Sequence, residues 1–315
     1  MSINNKQQLL KKEMNFTSDF ETSCPIKSEK IPFYFSVDFE DFYYDSGRRL
    51  GCPNPTFKIE AVKKSYRIIN KYCDQFFNGK RITFFVTAVL ARKVPELIKQ
   101  IFDDGHEIAS HYNFHDNVDN ETADSFAKNL DIAIDTLHSI TGERPLGFRA
   151  PNFAISNNNI FAYKELAKRF EYDSSYKTSK YANQVTKNGK FSFGNDNLRE
   201  FCVYGMPYIF DNFIIRTGGT FLRLFPAYLT IQAMKKAFSR QHVPILYLHP
   251  YEILTEKEFW FTWKDLKFMN LKQRSAFWLR QNQWSNLGNK TVEKKIEAIC
   301  KVFEHQGPMR EILNF

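Results

Sequence analysis

Two histidines four residues apart, His111 and His115, lie in the run His106-Glu107-Ile108-Ala109-Ser110-His111-Tyr112-Asn113-Phe114-His115. On one turn of helix that spacing puts both imidazoles on the same side, where they suit a single divalent ion. Zinc takes nitrogen and carboxylate ligands and, in catalytic sites, keeps a position for water. Most histidine pairs at this spacing bind nothing, so the pair gains weight from its company. Gly105 and the short run that follows it read as a turn and a brief strand, which would deliver the pair to a carboxyl end, where α/β folds bind ligands.

Further groups able to do chemistry recur at the ends of apolar runs. Residues 31–39 read as a buried strand ending in the carboxylates Asp38, Glu40 and Asp41. The run 146–149 ends in Arg149, a short strand near Tyr172 carries Asp173, and the apolar run 243–248 leads into His249. In a parallel barrel all such ends meet on one face.

The elements that must position them alternate. Apolar residues at helical spacing predict helices over 57–77, 90–102, 120–140, 156–170, 226–240 and 291–305. Between them, 81–87, 146–149, 172–175 and 198–204 read as strands. Strand-helix alternation predicts a parallel sheet with helices outside. The polar stretch 177–196 is expected to be a loop, and 256–271, rich in Trp and Phe, has no clear type. Within it Phe259, Trp263 and Leu266 are spaced as one face of a helix. His138, His242 and His305 are expected at the surface and His106 in a structural role. The expected organisation is a flexible leader over 1–30, a barrel domain over 31–255, and a helical, aromatic extension over 256–315 packed on the barrel.

At 315 residues, 43% of them hydrophobic, the chain is globular and has ample length for a core. The 32 Phe, 15 Tyr and 4 Trp exceed what a core usually needs, so some should line a site or an interface. The net charge of +9 fits an anionic partner or simple solubility; with no recognisable nucleic-acid module, nucleic acid is not an expected partner. Cys24, Cys52, Cys73, Cys202 and Cys300 are scattered and never form a CxxC pair, a pattern of reduced thiols. The polar N-terminal stretch lacks an apolar signal-peptide core, and no run reaches the ~20 apolar residues of a spanning helix. The expected compartment is the cytoplasm; peripheral membrane association through the basic, aromatic C-terminal part stays open, as does self-association.

Four ordered blocks, Phe-Ser-Val-Asp-Phe-Glu-Asp, His-Glu-Ile-Ala-Ser-His-Tyr-Asn-Phe-His, Phe-Arg-Ala-Pro-Asn-Phe and Leu-Tyr-Leu-His-Pro-Tyr-Glu, resemble the polysaccharide deacetylases, the NodB-homology carbohydrate esterases. The segment Gly-Gly-Thr-Phe-Leu-Arg-Leu-Phe-Pro and a C-terminal extension further resemble an intracellular-type subgroup associated with surface-polysaccharide biosynthesis. The resemblance covers roughly residues 31–312. It implies an α/β fold, a distorted (β/α) barrel of about seven parallel strands, and one divalent metal, usually Zn2+. It implies His111 and His115 as metal ligands with a carboxylate of the first block as the third. It makes Asp38 the general base, Arg149 its holder, His249 the general acid and the backbone N–H of Asn152 an oxyanion donor. Asp173, Arg223 and Tyr251 are the expected substrate contacts.

The family has two adjacent aspartates where this chain has Asp38-Phe39-Glu40-Asp41. Strand alternation puts Asp38 and Glu40 on one side and Asp41 on the other, unless the strand has already ended. Both Glu40 and Asp41 therefore stay open as the ligand, and a turn starting near Glu40 points to Asp41. The implied activity is removal of an N-acetyl group from an amino sugar in a nucleotide-, lipid- or oligosaccharide-linked biosynthetic intermediate. The alternatives are an amidohydrolase of the same scaffold acting on a small non-sugar amide or cyclic ureide, and an inactive carbohydrate-binding protein.

Overall fold

A computed structural model describes residues 15–17, 30–118, 121–155, 160–178, 190–193, 196–208 and 213–314. Its strands are β1 (Asn15–Thr17), β2 (Ile31–Phe39), β3 (Thr83–Val86), β4 (Glu107–Ser110), β5 (Gly147–Phe148), β6 (Tyr172–Asp173), β7 (Lys190–Phe193), β8 (Asp196–Glu200), β9 (Gly205–Tyr208), β10 (Phe213–Arg216), β11 (Ile245–Leu248) and β12 (Phe303–His305). Seven of them run parallel in the order β11-β2-β3-β4-β5-β6-β8, which curves into a half-barrel. β7 and β1 extend the β8 edge antiparallel, and β12 adds parallel to the start of β2. The parallel sheet with outer helices expected from the alternation is observed, and so is the α/β barrel of about seven strands that the resemblance implies.

Period-two alternation in β2 sorts its side chains between two environments. Phe33, Phe35, Val37 and Phe39 face the helices and join the main core. Tyr34 faces the lumen with Phe85, Ala109, Tyr172, Ile245 and Met309, and Ser36 and Asp38 follow it toward the carboxyl end. The α-helices are α1 (Phe42–Arg49), α2 (Ile59–Phe76), α3 (Ala88–Lys93), α4 (Pro95–Asp103), α5 (Ala123–Thr141), α6 (Ile160–Ala167), α7 (Gly219–Leu224), α8 (Ala227–Ser239), α9 (Leu271–Ser285) and α10 (Val292–Cys300). Pro95 sits in the first turn of α4, where its missing N–H costs nothing. Thr122 caps α5 through a reciprocal pair of hydrogen bonds with Ser125.

Several expectations are corrected. The helix expected over 291–305 ends at Cys300, and His305 is buried in β12, hydrogen-bonded through Nε2 to the Arg81 carbonyl. His242 is also buried; His138 is exposed, as expected. The stretch 256–270 is not helical: Phe259 and Leu266 are buried by irregular backbone, while Trp263 stays partly exposed. Helices α1 and α9 were not legible from apolar spacing, because both carry long polar runs. Most of the expected 1–30 leader, the first residues of the helix expected over 156–170 and most of the 177–196 loop lie outside the described residues; within that expected loop, 190–193 form the strand β7.

The chain end closes the bottom of the lumen. Met309 is fully buried there; its N–H donates to Thr83 Oγ1 (2.7 Å), and the Arg310 N–H donates to Glu107 Oε2 (3.0 Å). The C-terminal extension is thus built into the barrel and not merely laid on it. Met309→Ala should destabilise the protein by about 2–5 kcal/mol, the usual cost of a buried large-to-small change. The check is a lower urea midpoint at unchanged m-value.

Candidate metal and catalytic centre

Asp38 is the last lumen-facing residue of β2, and the strand ends one residue later, at Phe39. Its carboxylate is buried against Arg149, whose Nη1 donates to Asp38 Oδ1 (2.6 Å) and to Ser36 Oγ (2.9 Å). Arg149 follows β5 and is wholly enclosed. Its Nε and Nη2 donate to the carbonyl and hydroxyl oxygens of Ser174, and its guanidinium lies 4.1 Å over the Phe85 ring. Burial alone would raise the Asp38 pKa; Arg149, with His111 and His249 nearby, overcomes that and holds it below the usual carboxylate range.

Glu40, His111 and His115 converge, each offering a ligand atom within 4.8 Å of the others'. All three are buried. His111 Nδ1 donates to the Arg149 carbonyl (2.7 Å), which leaves Nε2 as a lone-pair donor with no partner. Glu40 Oε2 and His115 Nε2 approach to 2.8 Å, yet no donor is aligned on that oxygen. Burial works to raise the Glu40 pKa, but the neighbouring His115 prevails and holds it at about 2. Burial takes His111 down to about 4, so at neutral pH its imidazole is uncharged. A carboxylate and two imidazoles with orphaned buried atoms form a donor set that fits a divalent cation.

The histidine pair does not sit on a helical turn. Residues 111–115 form a bend in which Tyr112 takes a left-handed φ of 71°, and that bend brings the two rings to 5.3 Å between centroids. Asp41 is not in the cluster. Its Oδ1 accepts from Tyr44 N (3.0 Å) as the cap of α1, and its Oδ2 accepts from Lys58 N. The strand stops at Phe39, but Glu40 still points to the Asp38 side and Asp41 turns to start the helix. The lean toward Asp41 is corrected on that ground: Glu40 is the carboxylate beside the histidines.

His249 stands at the end of β11, its Nε2 3.7 Å from Asp38 Oδ2. Its Nδ1 meets Glu252 Oε2 at 3.1 Å, and the same oxygen accepts the His249 backbone N–H (3.0 Å). Burial lowers the His249 pKa, but Glu252 and Asp38 outweigh it and bring it up to about 9. Glu40, His115 and His249 open on a pocket of about 380 Å³, whose wall also includes Asn152 and the aromatic rings of Phe42, Tyr251 and Phe277. Tyr251 stacks on the His249 ring (5.0 Å, 21°). Asn152 has a left-handed φ of 55° at the turn after β5, with its side chain bonded to Asn117.

Residues 76–170 match the family described as polysaccharide deacetylase, and residues 174–313 match one described as a domain of unknown function, DUF3473. The stretch 76–170 is thus similar to the polysaccharide deacetylase family. A peptidoglycan deacetylase-like protein of Gibberella zeae is 32% identical over 105 residues, covering 33% of this chain and 30% of that protein. The peptidoglycan-N-acetylmuramic acid deacetylase of Bacillus subtilis is 31% identical over 134 residues, covering 42% of this chain and 44% of that protein. These matches span less than half the length of either relative. The crystal structure of a candidate polysaccharide deacetylase from Mycobacterium smegmatis superposes with a TM-score of 0.60 at 18% identity, over 95% of this chain and 94% of that one, and shares the fold.

Two expected substrate contacts lie elsewhere. Asp173 is buried beneath the site, accepting from Ser175 Oγ and N, and Ser175 Oγ in turn accepts the Ala150 N–H. Arg223 is enclosed behind His249 and is absent from the pocket wall. Residue type and position alone do not reveal that a polar side chain at a strand or helix end points into the framework. Ser36, Ser174 and Glu252 were missed as partners of site groups. Only Glu252 had a visible signal, its place three residues after His249 in His-Pro-Tyr-Glu.

Metal titration of the purified protein separates the two carboxylates. Glu40→Gln, His111→Ala and His115→Ala should each lower affinity for Zn2+ at least tenfold. Asp41→Ala should retain the metal and instead cost about 0.5–2 kcal/mol of stability through the lost helix cap. Equal metal binding by wild type and Glu40→Gln would reject the assignment.

Proposed function

We propose that this protein is a metal-dependent deacetylase that removes the acetyl group from an N-acetylated amino sugar. What carries the reading is one convergence: Glu40 and His115 of the Glu40-His111-His115 cluster and the carboxylate-held His249 line one aromatic-lined pocket, with the arginine-held Asp38 buried 3.7 Å from His249. Glu40, His111 and His115 would hold the metal, which we take to be Zn2+ from its nitrogen and oxygen donors. When bound, the ion supplies Lewis acidity and lowers the pKa of coordinated water.

The chain's own groups do the rest. Asp38, ionised and oriented by Arg149, accepts a proton from the attacking water as its oxygen adds to the acetyl carbonyl carbon. The backbone N–H of Asn152, a residue of the pocket wall, would donate to the developing oxyanion. As the C–N bond breaks, His249 Nε2 gives its proton to the amine nitrogen, so acetate and a free amino sugar leave. Phe42, Tyr251 and Phe277 offer apolar faces to a sugar ring, which favours a sugar over a small non-sugar amide. A ready acid and base favour catalysis over simple binding.

The wider setting we infer is synthesis of a cell-surface polysaccharide in the cytoplasm. Cys52, Cys73, Cys202 and Cys300 are free thiols, as a reducing compartment would leave them. Among the described residues no helix is long and apolar enough to cross a membrane.

A panel of N-acetylated nucleotide sugars and oligosaccharides, assayed for acetate release with metal supplied, tests the reading; no release from any of them would reject it. Asp38→Asn should lower kcat by about 10²–10⁴-fold while metal content stays at the wild-type level. The pH profile gives a further check. His249 must be protonated to act as the acid, and its raised pKa keeps the proton through neutral pH, so amide hydrolysis should fall as pH rises through about 9. That alkaline limb should be missing in His249→Ala.

A further inference from the structure

Behind His249 lies a second buried charge that the reaction does not touch. Glu252 is enclosed; its Oε2 holds His249, and its Oε1 lies 3.6 Å from Nε of Arg223. Arg223 is equally enclosed, and its Nη1 donates to the carbonyl oxygens of Gln283 (2.8 Å) and Leu287 (2.7 Å) at the end of α9. The same segment grips both sides of this pair. Asn289 Nδ2 donates to the carbonyls of Tyr251 and Leu254, and Lys295 Nζ donates to those of Leu222 and Arg223. At Gly288 (φ 87°) a Cβ would come within 2.4 Å of the Arg223 carbonyl oxygen, so the backbones meet without a side chain between them.

We propose that Arg223 and Glu252 are positioning residues for catalysis, a buried chain through which the C-terminal segment holds the acid His249. The physical case is that an enclosed guanidinium is costly unless paired. Its Nη1 is held by two carbonyls of α9 and its end, and its charge lies 3.6 Å from Glu252, although Nε and Nη2 make no hydrogen bond among the described residues. Glu252 in turn takes the Nδ1 side of His249 and leaves Nε2 facing Asp38 and the pocket, the side from which a proton reaches the departing nitrogen. Residues 283–295 then serve the reaction without touching substrate, a role for part of the segment matched as DUF3473. The inference rests on the acid role of His249 proposed above.

The test compares an N-acetylated amino-sugar oligosaccharide with an activated aryl acetate, whose leaving group needs no proton, in the full-length, metal-loaded protein. Arg223→Gln should lower turnover of the amide by about 10–100-fold, the range for outer partners of metal-binding histidines, and turnover of the ester much less. Arg223→Lys should recover part of the loss. Should the single variant fail to fold, Arg223→Gln combined with Glu252→Gln removes both buried charges and should show the same amide-selective loss. A folded variant with the wild-type ratio of amide to ester turnover would overturn the proposal. His249→Ala separates this from the parent reading: if it slows both substrates equally, the acid role itself fails, whereas an amide-selective loss in His249→Ala alone sinks only the Arg223-Glu252 chain.

Discussion

The buried ion pair between Arg149 and Asp38 is the constraint on which the rest of the centre depends. A guanidinium wholly removed from water must satisfy its donors, and here they go to Asp38, Ser36 and Ser174, with the Phe85 ring beneath. Its own carbonyl takes His111 Nδ1. One residue thereby orients the carboxylate at the end of β2 and sets the tautomer of the histidine after β4. Removing one member of such a pair typically costs about 3–5 kcal/mol, because the other charge is left buried alone. The arrangement therefore demands a rigid surround, and the barrel supplies it.

That surround is layered. Below the ion pair, Phe85, Tyr172 and Met309 fill the lumen, and the chain end seals it through Thr83 and Glu107. Beside it, Asp173 holds Ser175, and Ser175 holds the backbone at Ala150, next to Arg149. Burial and the Asp173 carboxylate push Glu200 well above the usual range, so this neighbouring pair need not carry two charges. Polar groups that looked like pocket residues from their types are thus part of the frame that keeps pocket residues still.

The same logic gives the C-terminal part of the chain its place. β12 pairs with β2, residues after it enter the lumen, and the stretch around α9 and α10 clasps the backbone on both sides of Glu252. A late segment that gives the pocket wall Phe277 also bears on the strand ends that carry its acid and base.

The sequence by itself determined the alternation of strands and helices, and the placing of Asp38, His111, His115, Arg149 and His249 at strand ends, because burial periodicity and strand-end position are local properties of a chain. It also displayed four ordered blocks that resemble the polysaccharide deacetylases. It could not choose between Glu40 and Asp41, since the choice turns on where β2 stops and on the backbone N–H of Lys58, seventeen residues away, that claims Asp41. It suggested a helical turn for His111 and His115, whereas a left-handed Tyr112 makes the bend. It pointed Asp173 and Arg223 at substrate, when both are turned inward to partners supplied by distant segments. Hydrogen-bond partners far apart in sequence are brought together by packing alone, and the tertiary structure decided which charges face the pocket and which hold it in place.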